Sequence, residues 1–154
     1  MKIVLDSNVI VAAFAARGLC CSLFELCVSR YPIIISEHII SEIYRVLHEK
    51  LKMPANKVDE VISYLKKFCE THQYEKLKEN ICRDKDDDEI LALAKSISAD
   101  YIVTGDKDLL VLKNFEFIPI ITPRDFWQIA RNEVTNRSSD NSQSPQSQLK
   151  DSKI

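Results

Sequence analysis

Short apolar runs alternate with segments of helical periodicity along the first 130 residues of the chain. Four runs have the length and β-branched content of strands, and they lie at 2–5, 31–35, 100–104 and 117–121. Their apolar character is continuous rather than alternating, which indicates strands that are buried on both faces. Pro119 predicts an edge position or a bulge for the fourth strand, because proline cannot donate to the hydrogen-bond ladder.

The segments between these runs carry apolar side chains at helical spacing. Stripes of this kind occupy 39–47, 58–69 and 90–97. Ser36 is a candidate cap for the first of these helices. A fourth helix begins with a capping Thr122, then Pro123 at its first position and Asp125 three residues after the cap. The alternation predicts an α/β fold, a three-layer α/β/α arrangement around a central, mostly parallel sheet.

The composition changes sharply near the C-terminal end of the chain. A length of 154 residues with 45% hydrophobic and 29% charged residues fits one globular domain, and it excludes a disordered chain, a collagen and a membrane bundle. From Asn132 to Ile154, however, Ser, Asn and Gln dominate and large apolar side chains are almost absent. Such a segment buries too little apolar surface to offset its conformational entropy. We therefore predict a folded domain over 1–131 and a polar, disordered tail over 132–154.

Charge, glycine and cysteine content exclude several classes of function. The net charge of −2 speaks against binding nucleic acid through bulk positive charge. The two glycines are too few for a glycine-rich phosphate loop. Five cysteines without a Cys-x-x-Cys pair indicate reduced thiols rather than a zinc site. With no signal peptide and no run of about 18 apolar residues, the sequence predicts a cytoplasmic protein without a membrane partner.

Acidic residues follow the predicted strands, where the sites of open α/β sheets lie. Asp6 directly follows the first strand, and Asp106 and Asp108 follow the third. Glu42 lies one turn into the helix after the second strand, and five acids crowd the helix start at 84–89. Acids at a helix start also simply complement the macrodipole, and acids after a strand are typical of turns. Asp6 stands between two apolar elements, so it must be paired or bind a metal.

Several carboxylates that converge on one sheet edge repel one another, and a cation between them relieves that repulsion. Ligands that are all oxygen select hard ions, which here means Mg²⁺ or Mn²⁺. A divalent metal held by carboxylates, without a protein nucleophile, is typical of phosphodiester hydrolysis. The acids therefore predict a metal-dependent phosphodiesterase site.

Four segments, in this order and spacing, resemble the motifs of the PIN-domain ribonucleases. They are Ile-Val-Leu-Asp-Ser-Asn-Val at 3–9, Ser36 with Glu42, Asp-Asp-Asp-Glu-Ile-Leu-Ala-Leu-Ala at 86–94, and Tyr-Ile-Val-Thr-Gly-Asp-Lys-Asp-Leu-Leu at 101–110. Any one of these motifs is weak, whereas four in order are specific. The resemblance covers about residues 1–130, and the most similar subgroup is the toxins of toxin–antitoxin pairs (VapC-like proteins).

The resemblance implies Mg²⁺- or Mn²⁺-dependent cleavage of single-stranded RNA, which leaves 5′-phosphate and 3′-hydroxyl ends. The residues that match the catalytic, metal-binding acids of the family are Asp6, Glu42, Asp87 and Asp106. Asp87 fits because it precedes Ile90 by three residues and Ala94 by seven, with Asp88 as the fallback. Asp108 is a further candidate ligand. The accessory polar residues are Ser7, Asn8, Thr104 and Lys107.

The partners implied by the resemblance are single-stranded RNA, a small antitoxin protein and a second copy of the chain. Candidates for holding the RNA backbone are Arg17, Arg45, Lys50, Lys52, Lys66, Lys67, Lys95 and Lys107, although each is also typical of a solvated helix face. The apolar run at 11–16 is typical of core, with a groove for a partner helix as the alternative.

Three other readings of the acids differ in what they require. A haloacid dehalogenase-like phosphatase needs a second acid where Asn8 stands, and a response-regulator receiver needs an acid where the second strand closes at Ser36. The remaining alternative is a catalytically inactive PIN scaffold that binds RNA or protein. Acids at all four motif positions argue against that alternative, because binding alone does not require mutually repelling carboxylates.

Overall fold

The computed structural model describes residues 1–140. Its strands are β1 (Ile3–Leu5), β2 (Ile33–Ile35), β3 (Glu70–Thr71), β4 (Tyr101–Val103), β5 (Asn114–Phe115) and β6 (Ile118–Ile121). Its α-helices are α1 (Ser7–Ala15), α2 (Leu19–Arg30), α3 (Glu37–Arg45), α4 (Ala55–Phe68), α5 (Lys85–Ser96), α6 (Lys107–Leu110) and α7 (Pro123–Asp140). A π-helical turn, Val46–Lys50, continues α3.

The strands form one sheet in the order β3-β2-β1-β4-β6-β5. All neighbouring pairs are parallel except β5 and β6, which are antiparallel. Helices flank the sheet, so the predicted three-layer α/β/α architecture is confirmed. The strand order runs outward from β1 to β3 and then returns to β4 on the other side of β1. The junction of β1 and β4 is therefore the switch point of the topology, where open α/β sheets place their sites.

The four predicted strands are confirmed within one or two residues, and their burial explains their composition. Every residue of β1 and β2 is buried, as are Ile102 and Val103 of β4. Strands covered on both faces can use apolar, β-branched side chains at every position. The fold therefore follows from runs that are readable in the sequence.

The edge position predicted for β6 is wrong, because β5 pairs with its outer side. Pro119 lies opposite Asn114 of β5, and the adjacent Ile120 N–H donates to the Lys113 carbonyl at 2.9 Å. The two residues of the turn between these strands, Glu116 and Phe117, have φ values of 44° and 70°. A strand of two residues before such a turn, as β5 is, carries no apolar periodicity, so the sequence pattern did not indicate it.

The boundary between domain and tail predicted at 131/132 falls inside α7, which continues to Asp140. Residues 132–140 are helical rather than disordered, which corrects that part of the prediction. The Tyr31 hydroxyl donates to Glu133 Oε2 at 2.6 Å. This hydrogen bond connects the second half of α7 to the C-terminal end of α2. The prediction of a disordered tail over the remaining residues, 141–154, lies outside the described residues.

Within residues 1–140, no single helix has both the length and the apolar composition needed to cross a membrane. Within the same range, α1 and α2 reach the required length and apolar composition when they are taken together, and the pair is bent by 108°.

Candidate metal centre

The acids that follow β1 and β4 are helix N-caps, which fixes where their carboxylates lie. Asp6 Oδ1 accepts from the Ser7 N–H at 2.7 Å at the start of α1. Asp106 Oδ1 accepts from the Asp108 N–H at 2.9 Å at the start of α6. Because β1 and β4 are parallel neighbours, both caps lie at the same edge of the sheet. Aspartate is favoured at N-caps for local reasons, and here that preference also brings two carboxylates together.

A network of hydrogen bonds joins the two strand ends. The Thr104 hydroxyl donates to Asp6 Oδ2 at 2.7 Å and accepts from the Asp106 N–H at 3.0 Å. Asn8 donates from Nδ2 to Asp6 Oδ2 at 3.1 Å and accepts at Oδ1 from the Gly105 N–H at 3.1 Å. Three of the predicted accessory residues, Ser7, Asn8 and Thr104, therefore donate hydrogen bonds to Asp6. The network fixes the orientation of the Asp6 carboxylate.

Asp87 is the acid whose environment is least satisfied. It lies in the first turn of α5 with 6% of its surface exposed, and its buried Oδ2 has no hydrogen-bond partner among the described residues. Carboxylate oxygens of Asp87, Asp106 and Asp108 lie within 4.8 Å of one another. Burial, with the nearby charges of Asp106 and Asp6, raises the pKa of Asp87 to about 7. A buried, unpartnered carboxylate among like charges is an arrangement that a bound cation stabilises.

Asp6 and Glu42, two of the four predicted acids, share this electrostatic strain. Burial raises the pKa of Asp6, and the charge of Asp106 adds to the effect, while hydrogen bonds from Thr104 and Ser7 oppose it. Burial also raises the pKa of Glu42, with a further contribution from the charge of Asp6 and an opposing hydrogen bond from Ser7. The charges of Asp106 and Asp6 therefore lower the tendency of the neighbouring acids to ionise, and a bound cation would offset that repulsion.

All four predicted acids line one cavity of about 460 Å³. Its acidic lining consists of Asp6, Glu42, Asp84, Asp86, Asp87 and Asp106. One wall is a face of α1, with Asn8, Val11, Ala12 and Ala15 at spacings of three, four and seven residues. The apolar run at 11–16 therefore supplies small side chains to this wall as well as buried ones to the core. That periodicity, continued from Asn8, is the signal that could have identified the wall from sequence.

Three further candidates have different positions. Asp88 turns away, since its Oδ1 accepts from the Cys82 N–H at 2.8 Å and from the Ile81 N–H at 3.2 Å. The structure therefore does not bring the fallback ligand to the cavity, which corrects that choice. Asp108 lies close to Asp87 and Asp106, as described above, and its Oδ1 also pairs with Arg83 Nη2 at 3.0 Å. Lys107 is exposed and does not line the cavity.

Four charged residues line the cavity without having been assigned to the site from sequence motifs. Asp84 caps α5 by accepting from the Asp86 N–H at 2.9 Å. Asp86 Oδ1 lies 3.0 Å from His38 Nε2. The other two are Arg45 and Lys50, which sequence analysis named only among eight dispersed basic residues. Their convergence depends on how α3 ends, which the sequence pattern did not indicate.

With this geometry established, comparison with known proteins identifies the family. The PIN domain model matches residues 2–108. The chain therefore belongs to the PIN domain family. This PIN domain also resembles the crystal structure of VapBC2 from Rickettsia felis bound to a DNA fragment from their promoter. The TM-score is 0.60 at 14% identity, over 79% of this chain and 98% of that chain, which is a likeness of fold. No curated protein gives a significant match.

Proposed function

We propose that this PIN domain is a metal-dependent endoribonuclease that cleaves single-stranded RNA. The observation that carries the proposal is the buried Oδ2 of Asp87, which has no hydrogen-bond partner within residues 1–140, on a carboxylate that lies near those of Asp106 and Asp108. PIN domains are typically nucleases, which supports hydrolase chemistry at this site. The proposed catalytic, metal-binding acids are Asp6, Glu42, Asp87 and Asp106.

The donor set fits Mg²⁺ or Mn²⁺, because every candidate ligand is a carboxylate oxygen. Such an ion, when bound, lowers the pKa of water and neutralises charge on the leaving oxygen. Asp87 and Asp106 would hold it together with Asp6, which Thr104 keeps in a fixed orientation, and Glu42 would complete the cage from α3. Asp108 is the further candidate ligand that the distances support.

The biological role that we propose is the toxin of a toxin–antitoxin pair that acts in the cytoplasm. The likeness of fold to VapBC2, whose crystal structure holds a DNA fragment from their promoter, supports this role, and we propose a small antitoxin and a second copy of the chain as partners. Co-expression with the product of the adjacent gene tests the partner, with a stable, stoichiometric complex as the expected result. A chain that stays monomeric, harmless to the cell and unbound to that product would contradict the toxin role.

RNA cleavage with and without Mn²⁺ tests the enzymatic proposal. We expect wild type to cut a single-stranded RNA only when Mn²⁺ is present and to leave 5′-phosphate and 3′-hydroxyl ends. Asp6→Asn should abolish cutting while the fold persists. A matched control is Asp59→Asn, which removes the same charge from an exposed position on α4. Undiminished metal-dependent activity in Asp6→Asn would overturn the assignment. A wild type that binds RNA and never cuts it would favour the inactive scaffold.

A further inference from the structure

The cavity that holds the acids also carries two cations on one side. Arg45 ends α3 and Lys50 ends the π-helical turn that follows, and both line the cavity. Within residues 1–140, neither takes part in an ion pair with an acid. Their charges are therefore available to a ligand in a cavity whose other charged residues are acids.

The π-helical turn is what places these two cations together. Its defining hydrogen bond runs from the Leu51 N–H to the Val46 carbonyl, five residues back, at 3.0 Å. Two pairs of residues that line the cavity have the same five-residue spacing, namely Arg45 with Lys50 and Val46 with Leu51. In an α-helix residues three or four apart share a face, so residues five apart would point in different directions. The wider turn brings Lys50 back to the side of Arg45.

Contacts around the turn hold it in place. Leu47 is fully buried, and its carbonyl accepts from the Met53 N–H at 2.9 Å. His48 Nδ1 lies 3.0 Å from the Met53 carbonyl oxygen, and its ring lies 5.6 Å from the ring of Tyr44. The turn is therefore anchored by core packing and by the chain that follows it. Single π-turns of this kind are frequent at functional sites.

We propose that Arg45 and Lys50 bind backbone phosphates of the RNA strand next to the bond that is cut. This inference rests on the proposed ribonuclease function. An RNA strand brings one negative charge per nucleotide to a cavity lined by acids, and a metal ion at Asp87 and Asp106 would offset that repulsion only locally. Arg45 lies one turn beyond Glu42 on α3, so the two cations lie beside the acids along one wall of the same cavity. Both side chains are exposed enough to reach a strand in solvent.

Binding of a labelled single-stranded RNA of about 12 nucleotides, measured by fluorescence anisotropy in Ca²⁺, tests the proposal without cleavage. We expect Lys50→Gln and Arg45→Gln each to weaken binding about fivefold to tenfold, as a charge-assisted contact does. The slope of log affinity against log salt should become shallower by about 0.7 for each lost phosphate contact. Arg131→Gln, which removes the same charge from an exposed position on α7, should change neither value.

A second variant separates position from bulk charge. The double variant Glu49→Lys/Lys50→Gln moves the positive charge from position 50 to position 49. Its net charge is more positive than that of wild type, because the negative charge of Glu49 is also lost. We expect this double variant to bind RNA as weakly as Lys50→Gln, because position 49 does not line the cavity. Thermal unfolding midpoints close to wild type verify the fold of each variant.

Each other outcome is decisive. If the double variant regains wild-type affinity, bulk charge holds the RNA and the proposal is wrong. Unchanged affinity and salt slope in both single variants would also overturn it, and loss of antitoxin binding alone would assign the cations to the protein partner. A wild type that binds RNA through these residues but never cuts it would leave this inference standing and refute the nuclease. A wild type that does not bind RNA would refute this inference.

Discussion

The two ends of the adjacent strands β1 and β4 use charge in opposite ways. At the amino ends, the Lys2 N–H donates to Asp100 Oδ2 at 2.7 Å, and the Asp100 N–H donates to the Lys2 carbonyl at 2.9 Å. Lys2 Nζ also donates to the carbonyl of Ile97 at 3.1 Å. At the carboxyl ends, Asp6 and Asp106 instead face further acids, and burial raises the pKa of Asp6.

This difference separates acids that stabilise the fold from acids that serve a ligand. Asp100 is exposed and has its partners within the chain. Asp87 is buried, with one oxygen unpartnered and like charges nearby. Stability alone favours the first arrangement, because an unpaired buried carboxylate is costly. The cost at the carboxyl ends of the strands therefore points to a bound cation, and substitutions at the two ends should have different effects.

The largest effect should distinguish two adjacent aspartates. Asp87→Asn should lower the rate of Mn²⁺-dependent RNA cleavage by more than about 100-fold, since a lost ligand removes several kcal/mol of charge stabilisation. Asp88→Asn changes the same charge but affects a carboxylate that binds the N–H groups of Ile81 and Cys82. It should keep activity within about threefold and cost about 1 kcal/mol of unfolding free energy. Equal losses of activity in the two variants would contradict this distinction.

Metal binding at the carboxyl ends of β1 and β4 should stabilise the fold, and the gain should rise with the logarithm of the ion concentration. At an Mn²⁺ concentration of about 100 times Kd, the free energy of unfolding should rise by about 2.7 kcal/mol. Asp106→Asn removes one of the clustered carboxylates and should lose most of this gain. Thermal unfolding with Mn²⁺ and with EDTA measures the effect. If the midpoint of wild type is insensitive to Mn²⁺, no metal binds at these acids.

Thr104 should matter through its hydroxyl, which connects the two strand ends. Thr104→Val leaves Asp6 Oδ2 and the Asp106 N–H without this partner, so we expect a loss of about 1–3 kcal/mol of stability and roughly tenfold lower cleavage. Thr104→Ser keeps the hydroxyl and should retain most of the activity. Unfolding and cleavage assays on the two variants check this expectation. A serine variant as impaired as the valine variant would show that the methyl group, rather than the hydroxyl, is what the site requires.

The pH dependence of the metal-free protein should reveal the raised pKa of Asp87. The folded state holds a proton on Asp87 up to about pH 7, whereas the unfolded chain releases it near the ordinary value of 3.8. The stability that this group contributes is therefore complete below about pH 4 and is lost as pH rises through about 7. In EDTA, Asp87→Asn should be more stable than wild type at neutral pH and no more stable at about pH 4. A difference that does not vary with pH would contradict the raised pKa.

The smallest effect should come from the amino ends of the strands. Asp100→Asn weakens a hydrogen bond at the protein surface and should cost about 1 kcal/mol or less of unfolding free energy. Cleavage and the stabilisation by Mn²⁺ should match wild type. Urea unfolding and the cleavage assay measure both quantities. A large loss of cleavage in Asp100→Asn would show that the two ends of the strands are coupled, and it would remove the distinction on which the comparison rests.

Much of this PIN domain was predictable because its signals are local. The four main strands are short apolar runs, and the helices that follow them begin at capping residues such as Ser36 and Thr122. The smaller elements were not predictable. A two-residue strand such as β3 or β5 is defined by pairing with a distant strand, so its own residues carry no pattern. The extension of α7 beyond residue 131 was also not predictable, because it includes a contact between Tyr31 and Glu133, which lie far apart in the sequence.

The candidate site shows the same division. The sequence alone determined that acids follow β1 and β4, because capping and strand ends depend on neighbouring residues. Sequence position does not distinguish Asp87, which lines the cavity, from Asp88, which binds the preceding loop, because both occupy the first turn of one helix. The placement of Arg45 and Lys50 on one wall also depends on the fold, because a π-helical turn changes the direction of a side chain without changing the sequence pattern. Local propensity fixes which residues begin and end an element, whereas the burial and convergence of charges depend on how distant elements pack.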